Sequence, residues 1–383
     1  MKVAIIGGGL SGLYAGMLLE RAGIKDYMIF EAQGKLGGRT PSINLEWVNQ
    51  NTNQTISVEH FDLGGTWHWP SSQPELVKVI KELNLQTYEQ YQMGDALFEM
   101  SKGQPVERFG NDGGGGNDDF RRIAGGMNSL IQAFSKNINS SRILLNHHVN
   151  KLEYSNSIIE ITTKDAEGKE EKYQAEKVLL ALPPRLVVRT IEFEPDLPEK
   201  LRLSWLNTNT WMASHAKYLA VYDKPFWRNK GLSGNAFSRI GPLGEINDAS
   251  SHNGESAALF GFFSLPANIR KNIPHNQLLN SCREQMIRLF GKEAADVKVD
   301  MIKDWSSNTY TATEEDLLPP KGHGHGRAPP NIPDDGDWKN RLVGIGSEWS
   351  LKYPGFIAGA IDAAQHGIDN YLRESDKSRK VEL

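Results

Sequence analysis

Cysteine is nearly absent from this chain of 383 residues: Cys282 stands alone, which excludes an internal disulfide and any metal site built on cysteines. No apolar stretch nears the ~20 residues needed to cross a bilayer, so no membrane association is expected. Charge of one sign is missing too. With 43 basic and 47 acidic residues the net charge is −4, too small for a global field that would recruit nucleic acid or acidic membranes. Basic and aromatic residues do not alternate along any segment, and no nucleic-acid-reading motif is present, so nucleic acid is not expected as a partner. An apolar strand starts directly after Lys2 and leaves no room for a secretory leader, so a cytoplasmic protein is expected. No internal repeat is visible. The length suffices for two intertwined domains with a large buried core.

What is present is concentrated at the start. An apolar run, Val3-Ala4-Ile5-Ile6, enters Gly7-Gly8-Gly9-Leu10-Ser11-Gly12. The run is too short for a helix and is bounded by glycine, so it reads as a buried parallel strand. Gly7, Gly9 and Gly12 stand at G-x-G-x-x-G spacing: one for a tight turn, one for backbone approach to a pyrophosphate, one for packing helix on strand. Leu10 to Arg21 supplies the helix, whose free N–H groups, Ser11 among them, face the phosphates. A second apolar run, Tyr27 to Phe30, ends in Glu31, the acid expected to bind ribose hydroxyls, with Ala32 beside it. A glycine triplet alone is often only a turn. Strand, helix, second strand and acid in register point to dinucleotide binding.

A nicotinamide site does not need the Gly-Gly-Arg that follows. Glu31-Ala32-Gln33-Gly34-Lys35-Leu36-Gly37-Gly38-Arg39-Thr40 resembles the extended flavin motif of the monoamine and polyamine oxidase family. The resemblance implies that Arg39 reaches the FAD diphosphate and that Gly38 lets the chain pass beneath it. It extends through anchors in residues 1–42, 59–85, 123–152, 178–184, 217–227 and 343–372. The implied fold is α/β: a doubly wound, Rossmann-like FAD-binding domain (1–68, 123–204, 306–383) interleaved with a substrate domain of antiparallel sheet plus helices (69–122, 205–305). The segment 69–122 is short for the family, which implies a thinner roof and a wider entrance. Some members of the family tether their flavin through cysteine. Cys282 lies in a helical stretch far from the matching segment, so FAD is expected to be non-covalent. A homodimer is kept open.

Lys217 sits in an apolar strand nine residues ahead of Phe226-Trp227, as the family's lysine does; there it holds a water against the flavin and aids reoxidation. Read without the family, it is a strand-edge lysine. Ser347 to Ile361 is similar to the family's C-terminal flavin motif. It assigns Glu348 to the ribityl-diphosphate chain, Ile357 to a helix start facing the isoalloxazine, and Phe356 to one wall of an aromatic cage around the amine. Core packing is the other reading of Phe356. The family's second cage aromatic is missing: Trp305 and Tyr310 keep the expected order, but Thr311 to Asp316 carries no tyrosine. That acidic run is either an exposed turn or places a carboxylate, Glu315, in the cavity, which would favour a di- or polyamine. After Gly65-Thr66, expected beside the flavin, His68 and Trp69 are candidates for the cavity; His68 is read as a proton acceptor or as a helix cap. Tyr353 joins Trp69 and Glu315 as a substrate-side candidate. Val149 and Ala181 match positions bracketing the adenosine half. His323 and His325 are read as loop residues, and no metal site is expected. Tetraglycine 113–116 reads as a surface loop.

The implied activity is FAD-dependent amine oxidation, with hydride passing from the α-carbon to flavin N5, imine then aldehyde as product, and O2 reduced to H2O2. An amino-acid oxidase would need an arginine clamp, for which Arg185, Arg228 and Arg239 are candidates. A desaturase and a flavin-binding scaffold with a degraded cage are the remaining readings.

Overall fold

The computed structural model describes residues 1–49, 54–110, 119–252, 256–318 and 326–381. Its centre is a five-stranded, wholly parallel sheet in the order Leu342–Gly344, Lys177–Leu180, Val3–Ile6, Tyr27–Phe30, Ile143–Leu144. Val3–Ile6 is buried along its whole length, which is why it reads as an unbroken apolar run. Its alternate side chains serve two cores. Val3 and Ile5 pack with the helices Leu10–Arg21, Asn128–Lys136 and Ile357–Val381 on one face. Ala4 and Ile6 pack on the other face with Leu152, Ile161, Trp205 and Trp338.

That second face is covered by a four-stranded sheet in the order Glu170–Ala175, Ile158–Lys164, His148–Ser155, Glu192–Glu194. A seven-stranded sheet forms the other half of the molecule: Val299–Asp304, Ala216–Tyr222, Ala257–Phe263, Leu243–Asp248, Leu232–Ser238, Asp95–Glu99, Glu107–Phe109. Its pairings are antiparallel except the parallel one between Leu232–Ser238 and Asp95–Glu99. The helix His275–Phe290 packs on one face through Leu278, Cys282, Met286 and Leu289. The opposite face carries Leu219, Val221 and Phe260 toward Phe61 and Leu63, at and just beyond the end of the hairpin Ser42–Asn49/Gln54–Asp62.

The mixed α/β architecture is the one the sequence implies. The helix Pro74–Glu82 buries Leu76, Val79 and Ile80 in the same core as the glycine-turn helix, so it belongs physically to the parallel sheet. Only Asp95–Glu99 and Glu107–Phe109 of the 69–122 segment join the large sheet. The helix Pro74–Glu82 ends at Glu82, and Asn84 takes a left-handed φ of 54° in the turn that follows. Tetraglycine 113–116, His323 and His325 lie outside the described residues. No described helix is long and apolar enough to cross a membrane.

One of the tightest backbone contacts among the described residues is glycine on glycine. A methyl group on Gly12 would come within 1.9 Å of the Gly7 carbonyl oxygen, a backbone atom that cannot step aside. Gly12→Ala should therefore lower unfolding stability by roughly 1–3 kcal/mol or more, read by denaturant titration. An unchanged midpoint would show that strand and helix are less tightly joined than described.

Candidate active site

A cavity of about 350 Å³ runs along the C-terminal edge of the parallel sheet and under the large sheet. At one end it is lined by Glu31, Ala32, Val149 and Ala181; Gly7, Gly9, Ser11, Gly38 and Arg39 line its middle. Gly7, at φ 111°, turns the chain out of the strand, and the helix behind it has neither a side-chain cap nor an acid in its first turn. Its N–H groups are thus left for an anion. Glu31 is buried, which pushes its carboxyl upward, yet each oxygen accepts one backbone N–H: Gly8 at 2.8 Å and Gln33 at 2.9 Å. A carboxylate offers further lone pairs, free for hydroxyl donors from the cavity. Backbone-only walls at the glycines, an open helix N-terminus and a fixed acid fit the diphosphate and ribose of a flavin dinucleotide. Gly12 is one layer behind, in the strand–helix contact.

Arg39 and Glu348, predicted to share the cofactor, meet each other. Nη2 donates to Glu348 Oε2 at 2.9 Å and to Ser347 Oγ at 3.0 Å. Burial pushes the Glu348 carboxyl up, but the charge and hydrogen bond of Arg39 outweigh it, and the net shift is downward. Arg39 lines the cavity while Glu348 stands behind it, beside a neighbouring cavity.

Toward the other end, Gly65, Thr66, Lys217, Trp69, Phe356 and Ile357 all reach the lining. Gly65 lies directly against the Ile357 side chain, where an added methyl would approach within 2.8 Å. The Lys217 Nζ is buried and donates to the Asp62 carbonyl (3.0 Å), the Gly64 carbonyl (2.8 Å) and Thr66 Oγ1 (2.8 Å). It also lies 4.3 Å from the centroid of the Phe260 ring. Burial brings this ammonium down to about 7, against the opposing pull of the Asp62 charge. Asp62 is itself pushed up by burial, and its Oδ1 accepts from Ser42 and Met127.

Three predicted substrate-side residues are elsewhere. His68 does not line the cavity. Its backbone pairs with Arg121, and successive residues of an extended segment point opposite ways, so Trp67 and Trp69 face in while the imidazole is buried outside. Burial takes that imidazole down to about 4, leaving it neutral. Tyr353 points to the Pro74–Glu82 helix, where its hydroxyl donates to Glu75 at 3.1 Å. Glu315 forms an ion pair with Arg189 and lines only the neighbouring cavity, so the exposed-turn reading is nearer the structure than the cavity reading. Tyr310 stands at the adenosine end, edge-on to His148 at 5.7 Å.

Sequence reasoning missed Trp211, Met212 and His215, which line the cavity from the connection ahead of Lys217. The Trp211 ring lies 6.3 Å from Phe356, inclined at 30°. Trp69 meets Phe356 edge-on at 5.8 Å. The connection has no periodicity; its one signal was a tryptophan close ahead of the strand lysine. Among the described residues no group of three or more His, Cys, Asp or Glu is placed to hold a metal.

The Glu31 arrangement yields a test. Glu31→Ala, purified alongside a yellow wild type, should be largely colourless with little absorbance in the visible flavin bands. A fully flavinated variant would remove Glu31 from the binding site.

Residues 106–366 match the family model for flavin containing amine oxidoreductases, and residues 5–83 match that for NAD(P)-binding Rossmann-like domains. A probable flavin-containing monoamine oxidase A of Dictyostelium discoideum is 23% identical, with 94% of this chain and 95% of that one covered. A putrescine oxidase of Kocuria rosea is also 23% identical, covering 81% of this chain and 83% of its own length. Among solved structures, a putrescine oxidase superposes with a TM-score of 0.77 at 19% identity, covering 97% and 99% of the two chains. Cyclohexylamine oxidase from Brevibacterium oxydans IH-35A gives 0.74 at 16% identity, covering 98% and 99%. The chain belongs to the flavin containing amine oxidoreductase family and is an FAD-dependent oxidoreductase.

Proposed function

We propose that this enzyme oxidises small amines with a compact apolar body, using O2 as electron acceptor. The observation that carries the reading is the composition of the cavity's substrate end. Trp67, Trp69, Trp211, Phe262 and Phe356 wall it, and the only carboxylate among the described lining residues is Glu31, at the opposite end. Aromatic faces suit an apolar amine body and tolerate its nitrogen. A second cation, as in a diamine, finds no partner there, and its burial would be costly. The absence of a carboxylate at that end also leaves no counter-charge to hold the amine as ammonium, so the neutral amine, the form that can be oxidised, is only weakly disfavoured.

Bound FAD would supply a two-electron acceptor for hydride from the amine α-carbon, leaving an imine that hydrolyses to an aldehyde or ketone, and O2 would take up the two electrons as H2O2. The chain's own residues position the reactants and keep water out. Lys217 fixes the Asp62–Thr66 segment from below and places beside the cavity a group that is cationic below a pH of about 7 and neutral above it. Cys282 is buried under the far face of the large sheet, so FAD is held without a cysteine tether.

The amino-acid oxidase reading lacks its clamp. Arg185 is engaged by Asp316 and Asn209, and Arg228 by Asp248 while stacked on Tyr91. Neither these nor Arg239 lines the cavity, where Arg39 already pairs with Glu348.

Peroxide release should be strongest with benzylamine or cyclohexylamine and weak with putrescine and amino acids. A preference for putrescine would overturn the apolar-body reading, and FAD-loaded protein inert toward every amine would favour the scaffold. Lys217→Met should slow reoxidation by O2 far more than anaerobic reduction by amine, in stopped-flow measurements. Because the cation favours developing negative charge, the wild-type oxygen reaction should slow as pH rises through about 7, and that inflection should vanish in the variant. Equal effects on both half-reactions would remove Lys217 from this role.

A further inference from the structure

Behind the substrate end lies a second cavity, of about 490 Å³, whose lining differs in character. Asn207, Thr208, Asn209 and Thr210 contribute polar groups, and Arg185 and Arg189 enter as ion pairs with Asp316 and Glu315. Trp211, Met212, His215 and Gly355 belong to both linings and therefore form the partition between the two spaces. Trp211 is the bulkiest of the four. We propose that Trp211 is a specificity-determining residue: its ring is the wall that confines substrates to a compact apolar body and bars longer amines from the polar cavity behind.

Three observations hold the ring in that position. The backbone is fastened on both sides, since Trp211 N–H donates to Glu348 Oε1 at 3.2 Å and its carbonyl accepts from Arg39 Nη1 at 3.3 Å. The indole is flanked by rings, Phe356 at 6.3 Å and His215 at 6.4 Å. The next residue, Met212, takes a left-handed φ of 62°, a conformation a long side chain adopts only where its surroundings impose it. The partition is thus set by the residues that also border the cofactor cradle. Removing the indole would join an aromatic chamber to a polar one, and an amine with a long apolar chain and a terminal hydroxyl would match both.

The inference rests on the amine oxidase reading and is tested with the FAD-loaded enzyme. The probes are benzylamine and a long-chain ω-hydroxyalkylamine, with flavin content fixed by absorbance. Trp211→Ala should shift the ratio of kcat/KM values toward the long amine by on the order of tenfold or more, while Trp211→Phe keeps the wild-type preference. If the alanine variant does not retain FAD, the same ratio is read on Trp211→Leu, which shortens the wall but keeps its apolar character. An unchanged ratio in a flavinated variant, with wild type active on benzylamine, would overturn the role of Trp211 and leave the amine oxidase reading standing. A wild type that turns over neither amine would overturn both.

Discussion

The ion pair between Arg39 and Glu348 holds the site together. Its partners are 309 residues apart in sequence, one closing the opening glycine motif and the other standing at the entry to the last helix. Glu348 is almost fully buried, and a charge so placed costs several kcal/mol in lost hydration. The fork of two guanidinium nitrogens on two carboxylate oxygens, with Ser347 as a further acceptor, returns much of that cost. Such a pair adds little net stability but registers distant segments, since breaking it by removing one partner leaves an uncompensated buried charge. Arg39 keeps a quarter of its side chain open to the cavity side. Its planar fork matches a phosphate as well as a carboxylate, so one residue can serve the fold and the cofactor.

Lys217 does for the large sheet what Arg39 does for the parallel one. It reaches out of a fully buried strand and takes three acceptors from the segment Asp62–Thr66, tying the sheet to the cavity floor. Trp305 repeats the tie, with its indole N–H donating to the Leu63 carbonyl at 3.1 Å. A buried amine bound to neutral oxygens loses most of its preference for the charged form, whereas a carboxylate partner would have held the charge in place. The resulting titration close to neutrality follows from which oxygens are offered. Asp62 offers its carbonyl to Lys217 and keeps its carboxyl oxygen Oδ1 for Ser42 and Met127.

The sequence made the cofactor end legible because backbone rules dominate there. Positive φ at Gly7, a 1.9 Å approach at Gly12 and an acid at the end of the second strand leave few alternative residues. Every predicted contact there except Gly12 and Glu348 reaches the lining, and both of those stand one layer behind it. The substrate end was less legible because side-chain direction decides it. His68 and Trp69 are neighbours in sequence and face opposite ways, and Tyr353 sits three residues before Phe356 yet turns to Glu75. The strands Ile158–Lys164 and Glu170–Ala175 also escaped notice, since their charged residues pair across the sheet surface, as Lys172 does with Glu160. Trp211 carried no motif at all, because its place depends on contacts with Arg39 and Glu348, both far from it in sequence.

The missing second aromatic in the Thr311–Asp316 run then has a structural account. That run is committed to the fold: Asp316 caps its own turn by accepting from Thr313 and holds the buried Arg185, while Glu315 takes Arg189. Asp316 and Glu315 are engaged by arginines of the helix Pro184–Thr190, and Glu314 does not line the cavity. Aromatic surface instead reaches the substrate end from other elements: Trp67 and Trp69 after the hairpin, Trp211 ahead of the strand lysine, Phe356 at the last helix. Ring contacts add only about 0.5–1.5 kcal/mol beyond burial, so on the proposed reading selection at this end is by shape and polarity. A cavity that selects in this way discriminates through the volume its walls leave, and those walls are anchored to the same residues that border the cofactor.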